Sequence, residues 1–257
     1  LDLAVTLPPA ARVRLRERLQ PDRRRARWLA QTYALALFPL WVGLEAAREL
    51  HLLHAAAVRW QGAGGTRGLL LAGLPGSGKT TLALGLTAAL AGRGGQLLSD
   101  NLVLTDGATV YAVPEPLHVG RAAERLLPSA WLARLTPQGV SSYARRERRL
   151  PPELRAAQVR PQAVILVRQG AALTLDPLAE AAARLTSFDL LARELQAYAV
   201  FAAPLSLFGP PSLTPAARLA ALTALYALLP GYVLTLERGA PLAPALDRLT
   251  ALAEEVA

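Results

Sequence analysis

The chain contains no cysteine, no methionine and a single lysine. Without cysteine there is no disulfide framework, no thiolate metal site and no cysteine nucleophile. That fits a cytoplasmic protein. Aromatic residues make up only 5% of the chain, and none is interleaved with arginine in the basic clusters Arg12–Arg27 and Arg145–Arg149. A stacking platform for single-stranded nucleic acid is therefore not expected. Charged residues are sparse at 18% against 53% hydrophobic, which excludes a disordered chain. A clean membrane span is also lacking: the most apolar early stretch, Leu29–Ala47, carries Gln31, Thr32, Pro39 and Glu45. It reads as a buried helix. The arginine run ahead of it shows no small-residue cleavage site after a compact apolar core, so no signal peptide is expected. Acidic residues are fewer than basic ones, giving a net charge of +9. An arginine-rich surface from biased composition accounts for this excess as readily as an anionic partner does.

The lone lysine is the most informative residue present. Lys79 lies in Gly73-Leu74-Pro75-Gly76-Ser77-Gly78-Lys79-Thr80, the G-x-x-x-x-G-K-[ST] phosphate-binding pattern. Everywhere else the chain uses arginine. A broad guanidinium does not fit within a tight glycine loop, whereas a slim ammonium reaches the β- and γ-phosphates. Candidate nucleotide-binding residues are thus Gly73, Pro75, Gly76, Ser77, Gly78, Lys79, Thr80 and Thr81. Thr80 is the expected Mg²⁺ ligand, and ATP with Mg²⁺ the expected cofactor pair.

The pattern around the loop predicts an α/β protein. Leu52–Trp60 and Leu69–Ala72 read as strands joined by a glycine-rich turn, and Thr80–Ala91 as the helix after the loop. Gln96–Ser99 is a short strand, and Leu102–Thr105 with Thr109–Val113 a hairpin around Asp106-Gly107. A helical segment is expected over Arg121–Leu135 and an exposed, mobile loop over Pro137–Pro152. Ala163–Arg168 and Ala172–Asp176 read as a hairpin around Gln169-Gly170. Helices over Pro177–Tyr198, Pro215–Leu229 and Pro244–Glu255 and strands over Pro204–Phe208 and Tyr232–Glu237 complete the reading. Residues 1–50 are expected to be a mostly helical extension and 51–257 one domain.

Phosphoryl transfer needs an acid near the metal or the attacking hydroxyl. Asp100 fits best: it ends the apolar Leu97-Leu98-Ser99, about one helix and one return strand beyond Lys79. The expected strand lies beside the loop strand. As a base, Asp100 would take the acceptor's proton; as a metal partner, it would hold Mg²⁺ directly or through water. Read from the residues alone, the alternative for Asp100-Asn101 is a turn between two strands, which the upstream phosphate loop disfavours, while a lone histidine on an apolar strand such as His54 is more often a core residue.

Leu53-His54-Ala55-Ala56-Ala57-Val58, the loop Leu69–Thr81 and Leu97-Leu98-Ser99-Asp100-Asn101 together resemble the catalytic core of HPr kinase/phosphorylase and its shorter bacterial relatives. These are similar in fold to the carboxy-terminal domain of PEP carboxykinase. The resemblance covers residues 50–120 best. It implies a P-loop kinase with a mixed sheet, several hairpins and flanking helices. It also implies that Asp100 acts near the attacking group, with His54 tuning it. Asn101 stands where the family has a second acid, and no Glu-x-Arg-Gly-x-Gly stretch follows Asp100. Reverse phosphorolysis is accordingly not expected.

The expected activity is Mg²⁺-ATP-dependent phosphorylation of a hydroxyl, on a serine of a protein or peptide or on a small metabolite. Catalytic candidates are Asp100, Lys79 and His54, with Thr80 and Asp100 at the metal. Arg145, Arg146, Arg148 and Arg149 could form a lid, or simply a solvated loop. Glu115, held between two prolines, could position the acceptor. His51 and His118 have no partner at zinc-ligand spacing. A nucleotide-binding switch with little turnover is the second reading, and a nucleic-acid-directed ATPase a third that lacks an identifiable acid pair. Homo-oligomers are compatible with the resemblance, whereas membrane association is not expected.

Overall fold

The computed structural model describes residues 43–44, 47–113, 115–140, 146–180 and 215–256. In chain order the strands are β1 (His51–Leu53), β2 (Ala55–Gly62), β3 (Gly65–Gly73), β4 (Gln96–Ser99), β5 (Val103–Thr105), β6 (Val110–Ala112) and β7 (Leu117–Val119). They continue with β8 (Thr136–Val140), β9 (Arg146–Arg149), β10 (Gln158–Val159), β11 (Ala163–Gly170), β12 (Thr174–Pro177) and β13 (Gly231–Glu237). The helices are α1 (Lys79–Ala89), α2 (Arg121–Leu126), α3 (Ser129–Leu132), α4 (Pro215–Ala227) and α5 (Ala243–Glu255).

Among the described residues the strands form a mixed α/β arrangement of three sheets. The largest has the order β12-β13-β11-β3-β2-β4; the others are β1-β5-β6-β10 and β7-β9-β8. Strand β11 runs parallel to both β3 and β13, while β2 is antiparallel to β3 and β4. The central strands are apolar on both faces, as strands covered on both sides must be. Leu69, Leu71, Ile165 and Val167 pack with Leu82 and Leu86 of α1 and Leu249 and Leu252 of α5. Leu70, Ala72 and Val164 face the other way, onto Leu222, Leu225 and Tyr226 of α4 and onto Val103 and Val110 of the second sheet. Helix α1 is buried over Leu82–Thr87. Its one interior hydroxyl is satisfied, with Thr87 Oγ1 donating to the Ala83 carbonyl at 2.8 Å.

Several sequence expectations are corrected. The strand expected over Leu52–Trp60 is two strands, because β1 pairs with β5 and β2 joins the main sheet, leaving His54 unassigned between them. β4 does not adjoin β3, since β2 inserts between them. The hairpin at Gln169-Gly170 is not paired with itself: β13 enters between β11 and β12. Pro177 therefore ends β12 opposite Tyr232 instead of opening a helix. The helical segment Arg121–Leu135 breaks at Leu127-Pro128 into α2 and α3, since proline disfavours helical geometry in the residue before it. Part of the expected mobile loop is ordered as β8 and β9, which pair antiparallel. Expectations for residues 1–42, the helix and strand over 181–208, and Arg145 lie outside the described residues. Among the described residues, no helix is long and apolar enough to cross a membrane.

Leu71→Ala, at a fully buried position on β3, should cost about 2–5 kcal/mol in chemical denaturation. Arg93→Ala, which removes the exposed 2.6 Å ion pair to Glu254, should cost about 1 kcal/mol or less. Similar losses for the two variants would contradict this placement of the core.

Candidate functional site

The phosphate loop begins where β3 ends. Gly73 cannot be replaced without strain: a Cβ there would lie 2.5 Å from Ser77 Oγ and 2.7 Å from the Val167 carbonyl of β11. Ser77 N–H closes the turn by donating to the Leu74 carbonyl at 3.0 Å. Gly78, with φ of 109°, then caps α1 in a left-handed conformation that L side chains rarely adopt. No side chain caps α1, and its first turn holds no acid. Its first N–H groups thus face the cleft with the helix dipole behind them, the arrangement that suits an anion. Lys79 is buried, and its Nζ donates to the Gly73 and Leu74 carbonyls at 2.5 and 3.2 Å. Ser77 Oγ is buried with no hydrogen-bond partner.

Sheet register brings the acid to this loop. β1 pairs with β5 (Leu53 opposite Val103), and β2 with β4 (Ala57 opposite Ser99). The Ala57–Ser99 pair continues the register of β1–β5 before the β2–β4 ladder shifts at Val58, and the gap between the ladders holds His54-Ala55-Ala56 on one chain segment and Asp100-Asn101-Leu102 on the other. His54 and Asp100 thus fall in the same opening, where each segment crosses from the main sheet to the smaller one. Both are almost fully buried, and both line one cleft of about 870 Å³ with Lys79, Thr80 and Thr81. Thr80 Oγ1 donates to the Asp100 carbonyl at 3.5 Å.

Burial pushes the Asp100 carboxyl above its ordinary pKa of 3.8, and this desolvation outweighs the opposing pull of His118 and of the hydrogen bond from its backbone N–H. Oδ2 accepts the His118 N–H at 3.3 Å. Oδ1 is buried with no hydrogen-bond partner. An orphaned carboxylate oxygen next to a threonine hydroxyl is a hard oxygen donor set, which fits magnesium bound with retained waters. The groups present therefore fit a metal-bound triphosphate: N–H donors and Lys79 for phosphate, Thr80 and Asp100 for the ion.

Of the expected loop residues, Pro75, Gly76, Gly78, Lys79, Thr80 and Thr81 line the cleft, together with Asp100 and His54. Gly73 and Ser77 shape the loop from behind. Arg148 and Arg149 do not line it. Arg148 donates to the Leu135 carbonyl at 3.4 Å and lies 3.7 Å from Glu124 of α2, while Arg149 is exposed on β9. The Arg146 backbone pairs with Val119 and Val140. Asn101 Nδ2 donates to Glu115 at 3.3 Å, which brings a second carboxylate beside position 101. Sequence reasoning missed His118, which lines the cleft opposite Glu147 on the neighbouring strand, with Nε2 3.9 Å from its carboxylate. It also missed Gln169, whose Nε2 donates to the Ser77 carbonyl at 2.9 Å. Neither has a local motif; only the β7–β9 pairing and the neighbouring of β11 and β3 reveal them.

No protein-family model matches this chain, and no curated protein matches it.

The raised pKa has a thermodynamic consequence. The native state holds the Asp100 proton more tightly than the unfolded chain, so the stability from this group is complete below about pH 3.8 and is lost as pH rises through the folded-state pKa. Asp100→Asn removes that loss. Its melting temperature should exceed that of the wild type at neutral pH, with the gap closing as pH falls toward 3.8. A variant less stable than wild type at neutral pH would argue against a carboxylate held at a cost.

Proposed function

We propose that the protein is a Mg²⁺-ATP-dependent phosphotransferase of the HPr-kinase-like P-loop type, acting on a hydroxyl of a protein or peptide serine or of a small metabolite. One observation carries this reading: a buried carboxylate with an open oxygen shares a single cleft with the phosphate loop, its lysine and its threonine. An uncompensated buried acid is destabilising, so its retention in this cleft asks for a partner there. A reaction that must take a proton from an alcohol has a use for it.

In this reading Asp100 Oδ1 accepts the proton of the acceptor hydroxyl. The oxygen attacks the γ-phosphorus, the bond from phosphorus to the ADP oxygen breaks, and ADP leaves with the bonding pair. The loop N–H groups and the N-terminus of α1 stabilise charge on the phosphate oxygens. Lys79 lies within the loop, where its ammonium can exchange loop carbonyls for phosphate oxygens. His118 holds Asp100 Oδ2 through its backbone, which leaves Oδ1 as the reactive oxygen. His54, buried and lining the same cleft, is placed to tune the acid as the resemblance implies. Thr80 would hold the magnesium, with Asp100 as its indirect partner. Magnesium, when bound there, would supply charge neutralisation for the transferring phosphate. The antiparallel β2 between the loop strand and the acid strand is compatible with the fold type that the resemblance implies.

Asn101 favours a second reading, a nucleotide-binding switch with little turnover, because position 101 carries an amide bonded to Glu115 in place of an acid.

Release of ADP from Mg²⁺-ATP, followed with and without serine peptides, free serine, sugars and an HPr-like protein, tests the two. The kinase reading expects release that depends on one acceptor. Asp100→Asn should lower that rate by about 10²–10⁴-fold, and Lys79→Ala should weaken nucleotide binding as well. Tight nucleotide binding with no acceptor-dependent release would favour the switch.

A further inference from the structure

The segment that runs from β6 into β7 holds Asp100 and Asn101 side by side. His118 gives its N–H to Asp100 Oδ2 at 3.3 Å, and Glu115 Oε2 receives Asn101 Nδ2 at 3.3 Å. Glu115 is fixed for this contact. Its N–H donates to the Val113 carbonyl at 2.8 Å, and prolines precede and follow it in the sequence. Two residues on, Leu117 enters the β7–β9 pairing opposite Arg148. Each held residue keeps one oxygen out of these bonds. Asp100 Oδ1 has no hydrogen-bond partner, and Asn101 Oδ1 receives no hydrogen bond among the described residues. Both residues line the cleft. The Glu115 contact sets the direction of the amide, because a carboxylate only accepts. Turning the amide over would set two acceptors against each other.

We propose that Glu115 is a positioning residue that turns the Asn101 amide so that its oxygen serves the cation of a metal-bound nucleotide, an assignment that rests on the kinase reading above. The resemblance puts a second acid at position 101, and this chain divides that acid between two side chains. Asn101 contributes the oxygen, and Glu115 contributes the charge behind it. Amide oxygens are hard donors that suit such cations. An amide whose N–H is bonded to a carboxylate is more polarised, which places more negative charge on its oxygen. The division also spares Asp100. A carboxylate at position 101 would bring a second negative charge directly beside one that is already almost fully buried, and like charges so placed repel strongly. Glu115 is only half-buried, so water still shares its charge. Without Glu115 the amide is free to turn over and offer Nδ2, a donor that faces a cation unfavourably. Partners placed behind metal-binding groups orient them in this way, and losing such a partner weakens metal binding.

Calorimetric titration of the full chain with ATP, once in magnesium and once in EDTA, tests the assignment. The readout is the ratio of the two affinities. Wild type should favour the magnesium form at least about tenfold. Glu115→Ala should bring that ratio down about tenfold while leaving metal-free binding within about twofold of wild type. Asn101→Ala should do the same. The pair Glu115→Lys with Asn101→Asp should restore the ratio, since the new cation would hold the new carboxylate as Glu115 holds the amide. This pair carries the same net charge as Glu115→Ala, so equal ratios for the two would reduce Glu115 to its charge and overturn the assignment. A Glu115→Ala or Asn101→Ala chain with the wild-type ratio would also overturn it and leave the kinase reading intact. Wild-type binding with no preference for magnesium would overturn it too, with ADP release still the judge of the kinase reading. A wild type that binds no ATP would overturn both. Metal-free affinity reports an intact loop in each variant. Where Glu115→Ala misfolds, Glu115→Gln takes its place: its amide can offer Asn101 either a donor or an acceptor, so the ratio should fall there as well.

Discussion

The close approach at Gly73 is the constraint on which the site depends. β3 is pressed so tightly against β11 and against its own loop that a single methyl group at position 73 would collide with the Val167 carbonyl and with Ser77. Because the strand ends at that contact, the chain must turn back at once. The turn is closed by Ser77 onto Leu74, and Gly78 then delivers the chain into α1. The first turn of α1 is therefore aimed into the cleft by backbone geometry. No capping side chain competes with an incoming anion for its N–H groups. Lys79, the first residue of α1, is drawn under the loop, where Gly73 and Leu74 carbonyls receive its ammonium.

The rest of the molecule keeps two ionisable groups in surroundings that would otherwise reject them. Asp100 and Lys79 are both almost fully buried. Removing an ion from water costs several kcal/mol unless other groups compensate. Lys79 is compensated by carbonyls, and Asp100 only in part, through one oxygen. The dense apolar layers on both faces of the six-stranded sheet supply the stability that tolerates this deficit. An unmet need at Asp100 Oδ1 is destabilising in the folded protein alone and useful once a proton or a metal-bound water is there to meet it.

The loop, Lys79, Thr80 and Asp100 were legible in the sequence because each depends on local order: glycines at fixed spacing, then an acid closing a short apolar strand. His118 and Gln169 were not legible, since each reaches the cleft through a strand pairing far apart in sequence. The hairpin expected around Gln169-Gly170 failed for the same reason. Turn chemistry marks where a chain reverses, yet β13 comes from more than fifty residues later and takes the pairing position on β11. Local propensity cannot see such a competitor. The break at His54 was hidden too. Residues 52–60 are uniformly apolar enough to pass for one strand, and only the second sheet shows why the chain divides there.

That division explains why the acid and the histidine meet at all. The β1–β5 ladder and the Ala57–Ser99 pair of β2–β4 lie in one register, ahead of the shift at Val58, and would run on as one antiparallel ladder if the chain did not change sheets. In an uninterrupted ladder His54 would sit opposite Leu102 and Asp100 opposite Ala56, each with its backbone committed to the neighbouring strand. Residues 54 and 100 would be diagonal neighbours on one face, close enough for side chains to interact. Opening the ladder releases the backbone between the two sheets, and both residues line one cleft there. The Asp100 carbonyl can then receive Thr80, and its carboxylate can receive the N–H of His118. The opening is also the point at which the main sheet hands two chain segments to the smaller sheet, so packing on both sides holds its width. A cleft placed at such a junction stays open between two sheets because strand pairing holds each segment on either side of the gap.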